Sequence, residues 1–110
     1  MKLSGLPVGM IDWSGVPPLA QAGRSGTATA RSRQFGDIQL RLVSYSPGYV
    51  ADHWCDKGHL VFVVDGSLTI EHRDGRRYDL APGMSYHVSD NDGAAHRVVS
   101  TGGASIFVVD

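Results

Sequence analysis

Between His53 and His59 the chain carries His53, Cys55 and His59, and His96 follows further on. Imidazole and thiolate are ligands for borderline and soft transition ions, and their convergence is the chemistry of a metal site. His53 and Cys55 stand at i and i+2. On an extended strand both side chains would leave the same face, roughly 6.6 Å apart along the backbone, with Trp54 pointing the other way. Asp56-Lys57-Gly58 gives the chain room to reverse before His59. Asp52 and Asp56 flank the run, and either carboxylate can orient an imidazole N–H or simply face water. The alternative is a neutral histidine cluster with Cys55 as an ordinary small buried hydrophobe.

The elements that must position these residues are strands. With 110 residues, 14 Gly, 5 Pro and the single glutamate Glu71, the chain lacks the Ala-Leu-Lys-Glu stretches of helices. Residues 1–35 read as an irregular N-terminal arm. Asp12-Trp13-Ser14-Gly15-Val16-Pro17-Pro18 cannot lie inside a regular element, and Trp13 needs cover from the domain or a partner. Gly23 to Arg33 reads as a solvated loop or edge strand. From residue 36 to 110 short strands follow one another. Ile38-Gln39-Leu40-Arg41-Leu42 alternates as a half-buried strand does. Tyr49 to Cys55 is expected to be the strand that carries His53 and Cys55. Leu60 to Val64 reads as a strand buried on both faces. Asp65-Gly66 and Asp74-Gly75 mark hairpin turns, and Asp90-Asn91-Asp92-Gly93 a loop. About eight short strands at this spacing imply an all-β sandwich or barrel. His72 is expected to be solvated and His87 to lie on the surface. Met84 and Tyr86 could line a cavity, although packing is the commoner use of both. Trp54 reads as a packing or interface residue, and Lys57 and Arg97 as exposed cations able to meet an anion.

The pattern resembles the cupin superfamily of small double-stranded β-helix (jelly-roll) barrels. The run Gly48, four residues, His53-x-Cys55, three residues, His59, six residues, Gly66 is similar to the first cupin motif. Cys55 stands where a second histidine is usual and His59 where glutamate is usual, and the spacer after Gly48 is one residue short. Gly75, Pro82-Gly83 and His96 resemble the looser second motif. More narrowly, Pro47 to His59 with Pro82-Gly83-Met84-Ser85-Tyr86 resembles the small cupins named for a DHCW motif, which bring no activity with them. The resemblance covers residues 36–110. It implies that His53 and Cys55 share one strand, that His59 lies on the next, and that His96 faces them, all directed into the barrel mouth.

The expectations are therefore one divalent transition metal per chain held by His53, Cys55, His59 and His96. Replacing the usual glutamate by histidine and adding a thiolate favours zinc, with iron, nickel or copper as alternatives. The functional readings are three: a metal site acting on a small molecule as an oxidoreductase or isomerase; a non-catalytic metal- or ligand-binding module; and, if Cys55 is not a ligand, a three-histidine iron centre resembling the thiol dioxygenases. Whether the protein is an enzyme stays open at this point. A net charge of −1 provides no basic field for nucleic acid or acidic membranes. No apolar run approaches a membrane span, and the opening ten residues are too short and too broken by Gly and Pro for a secretory signal. The single cysteine excludes an internal disulfide framework. A cytoplasmic domain, a small-molecule ligand and a homodimer formed through an open strand edge are expected.

Overall fold

A computed structural model describes residues 3–91 and 95–110, so Asp92 and Gly93 of the expected loop lie outside the described residues. The described elements are a 3₁₀ turn at Trp13–Gly15 and ten strands: β1 (Leu19–Ala22), β2 (Thr27–Phe35), β3 (Ile38–Tyr45), β4 (Tyr49–Val50), β5 (His59–Gly66), β6 (Leu68–His72), β7 (Arg77–Leu80), β8 (Ser85–Val88), β9 (His96–Ser100) and β10 (Ala104–Val109). They form a six-stranded sheet in the order β1-β2-β3-β10-β5-β8 and a four-stranded sheet in the order β4-β9-β6-β7. Every pairing is antiparallel. The strand pattern implied an all-β sandwich or barrel, and these two antiparallel sheets are consistent with the jelly-roll that the family resemblance implied.

The core lies between the two sheets. Val43, Val63, Ile106 and Val108 come from the larger sheet and Leu68, Ile70 and Leu80 from the smaller. Period-2 alternation puts these residues on one face, and burying each side chain stabilises the fold by roughly 1.5–3 kcal/mol. Leu60 to Val64 departs from its expected two-sided burial. Val61 and Val63 are buried, whereas Leu60, Phe62 and Val64 face outward and are 43–51% exposed. An apolar run alone does not reveal whether a second layer covers the outer face.

The arm is only partly irregular. Its residues 19–22 and 27–35 are strands β1 and β2, and β2 pairs with β3 from Ala28 to Phe35. Trp13 packs edge-on against Phe107 of β10 on the outer face of this sheet. Arg31 on β2 fastens that segment by donating to the carbonyls of Trp13 and Val16, so it is not a solvated loop residue. Among the described residues no helix is long and apolar enough to cross a membrane.

Candidate metal centre and its cavity

The strand expected from Tyr49 to Cys55 stops at Val50. Asp52 and His53 lie in a bend, and only Cys55 rejoins a sheet, through an isolated bridge to His96. That bridge is made both ways: the Cys55 N–H donates to the His96 carbonyl at 2.7 Å and the His96 N–H to the Cys55 carbonyl at 2.8 Å. His96 also stands opposite His72 across β9 and β6. Cross-strand partners share a face, so Cys55, His96 and His72 form one inward row. His59 enters from the other sheet as the first residue of β5. Gly58 makes this approach feasible, since a Cβ there would lie 2.7 Å from the Asp90 backbone nitrogen.

One ligand atom each from Cys55, His59 and His96 lies within 4.8 Å of the others. The Cys55 thiol and His59 Nε2 are 3.5 Å apart. His53 does not belong to this group. The bend breaks the i, i+2 relation, and its exposed ring holds Asp52 at 2.6 Å through Nδ1.

Behind His59 stands a residue that the sequence reading missed. Asp110 Oδ2 accepts from His59 Nδ1 at 2.9 Å and from Arg41 Nη2 at 2.6 Å, and its side chain is 4% exposed. A carboxylate only accepts, so the His59 proton sits on Nδ1 and the Nε2 lone pair faces Cys55. Burial lowers the His59 pKa, and Asp110 opposes that shift only in part. The imidazole is therefore held neutral, the form that binds a metal.

His72 is buried at 5% exposure, against its expected solvation. Its Nε2 lies 2.7 Å from the Tyr86 hydroxyl, and its ring is 5.8 Å from that of His96. Burial lowers the His72 pKa, with Arg76 adding to the shift, so His72 is neutral too. Burial pushes the Tyr86 hydroxyl up to about 12. His87 is exposed, as expected of a surface residue. Trp54 lies under two cations, with the Arg97 guanidinium 4.5 Å and that of Arg73 5.6 Å from its ring. Arg97 pairs with Glu71 at 3.2 Å and is only partly exposed.

Of these groups, Cys55, His59, Tyr86, His96 and Arg97 line a cavity of about 600 Å³ between the sheets. The strand register grades its wall. One inward row places Gln39 beside Asp110, which follows Val109 and so lies next to His59. The next row runs Ser32, Arg41, Val108, Val61 and Tyr86. The third, Ala30, Val43, Ile106 and Val63, is wholly apolar. Cys55, His59 and His96 thus converge at one end of the barrel, and the apolar row separates them from Tyr45 and Tyr49, which line the cavity further along.

A family model for the cupin domain matches residues 41–110. No curated protein matches the sequence. Among solved structures, a sugar phosphate isomerase of the cupin superfamily from Silicibacter pomeroyi superposes with a TM-score of 0.74 at 16% identity, covering 92% of this chain and 74% of that one. A predicted oxalate decarboxylase from Thermotoga maritima gives 0.77 at 12%, covering 91% and 96%. Ectoine synthase from P. lautus gives 0.72 at 14%, covering 91% and 75%. At these identities the likeness concerns the fold.

Proposed function

The chain belongs to the cupin family, and from that premise we propose that it is a mononuclear metal protein acting on a small molecule inside its barrel. Cys55, His59 and His96 are the proposed ligands. The observation that carries this reading is the convergence of their donor atoms on the wall of the 600 Å³ cavity. The donor set fits an ion. Tetrahedral bonds of about 2.0–2.3 Å space ligand atoms roughly 3.3–3.8 Å apart, and Cys55 Sγ and His59 Nε2 are already 3.5 Å apart. A thiolate and two imidazoles favour zinc, and iron, nickel and copper suit the same donors.

Three protein ligands leave a position for water or substrate, as catalytic sites do and closed structural sites do not. When bound, such an ion supplies Lewis-acid activation of a substrate oxygen. The remaining work falls to the chain. Asp110 holds the His59 proton on Nδ1 and fixes the ring. Val61, Ile106 and Val108 exclude water from the inner wall, and Tyr86 places a phenol there. Relatives described as an isomerase, a decarboxylase and a synthase support a reaction on a small molecule.

Elemental analysis of purified, reconstituted protein tests the reading. One equivalent of metal is expected, lost in Cys55→Ser and His96→Ala and kept in His53→Ala. Loss in both Cys55→Ser and His53→Ala would make the site a closed four-ligand one and favour the non-catalytic binding module. Iron kept in Cys55→Ser but lost in His53→Ala would favour the three-histidine centre. Protein that takes up no metal sinks every metal reading and leaves a metal-free ligand-binding module.

A further inference from the structure

We infer that the cavity takes a small organic carboxylate, and that Arg41 and Tyr86 are the side chains that hold it. This deepens the proposed function by naming the ligand class. It rests on that reading only in taking this cavity as the working one.

The first observation is the charge of the wall. Among the described residues that line the cavity are Arg41, Arg97, His53, His59 and His96, with no aspartate or glutamate. The acids that pair with the arginines, Asp110 and Glu71, are not part of the lining. The charged side chains of the lining are Arg41 and Arg97, each paired with its acid behind the wall, so the wall offers N–H and O–H donors and no carboxylate. An ammonium ion would find no carboxylate there.

The second observation is where the donors point. Arg41 gives one Nη2 hydrogen to Asp110, and its side chain keeps 27% exposure. A guanidinium carries five N–H donors, so others remain for a ligand. Tyr86 reaches the same condition by another route. Arg76 Nη2 lies 3.5 Å from His72 Nδ1, and arginine can only donate. His72 therefore carries its hydrogen on Nε2 and donates it to the Tyr86 oxygen. The phenol hydrogen is left for another acceptor.

The third observation is the spacing. Arg41 and Tyr86 lie in one inward row, with Val108 and Val61 between them. Three strand spacings separate their backbones by at most about 14 Å, and both long side chains reach inward over that distance. One molecule with a carboxylate and a short hydrocarbon or aromatic body can meet both donors while its body rests on the two valines.

The test is a ¹H–¹⁵N NMR titration of the full chain, metal-free and zinc-loaded, with butyrate and benzoate against butyramide, benzamide and butylamine. The carboxylates should shift signals around Arg41, Val61 and Tyr86 and bind at least tenfold more tightly than the amides, with no shifts from the amine. Arg41→Gln should weaken carboxylate binding tenfold or more, and Tyr86→Phe severalfold. If Arg41→Gln does not give a native spectrum, Tyr86→Phe decides, since it keeps the ring and removes only the hydroxyl. Equal binding of acids and amides, shifts confined to the outer surface, no carboxylate binding, or wild-type affinity in both variants overturns the inference. Failure of metal uptake alone sinks the metal reading. Carboxylate selectivity, measured on metal-free protein, decides this one.

Discussion

His59 shows what a single residue needs before it can act. Its place in the chain offers an imidazole, but its tautomer is set by Asp110, 51 residues away. The same Oδ2 also accepts from Arg41, which holds that carboxylate in position. An outer carboxylate of this kind orients the ring and raises its basicity as a ligand. Asp110→Asn should therefore weaken metal binding about 10–100-fold, read by competition with a chromophoric chelator. Unchanged affinity would reduce Asp110 to a structural ion pair. Three of the four expected ligands converge, while His53 is drawn to its neighbour Asp52. The reason is local: a carboxylate one residue away competes with a site that only long-range folding assembles. Asp110 and His72 gave no signal in the sequence, because nothing in their local pattern shows which residues will face them.

At the scale of elements, the hairpin turns were legible and the faces of the strands were not. Gly66 lies at φ +72°, where residues with a Cβ are strained. A Cβ there would also come within 2.8 Å of the Ala104 Cα on the neighbouring strand. Gly66→Ala should cost about 1–3 kcal/mol of stability, measured by urea denaturation, and a loss below about 0.5 kcal/mol would discount the strain. In contrast, the segment after β4 reads as strand yet bends at Asp52 and His53. Val50 pairs with Val99 and Cys55 with His96, so five residues on one side span three on the other and the chain between them bulges out of the ladder. Strand propensity concerns how residues fit a pleated surface, and it is silent on where the register to a partner strand slips.

For the whole molecule, the open question is the edge of the larger sheet. β1 is four residues long, pairs only with β2, and is exposed throughout, with Leu19 at 78%. An uncovered edge carrying an apolar side chain is a template for pairing with a second copy. We expect a homodimer, and sedimentation equilibrium at micromolar concentration should give twice 11.8 kDa. Leu19→Lys should shift the mass toward the monomer. A wild-type mass of 11.8 kDa would remove the expectation.

The all-β class and most of the turns from residue 36 onward followed from the sequence alone, and the motif spacing from Gly48 to Gly66 carried the resemblance to the cupins. Alternation and turn chemistry are local properties that neighbouring residues impose on one another. The sequence also marked Cys55, His59 and His96, because few side chains bind transition ions and these fell at telling spacings. Only the tertiary structure decided that His53 stands aside, that Asp110 and Arg41 stand behind His59, and that His72 supports Tyr86. Those relations depend on cross-strand register between segments far apart in the chain. A shift of one residue in that register would send every one of these side chains to the opposite face.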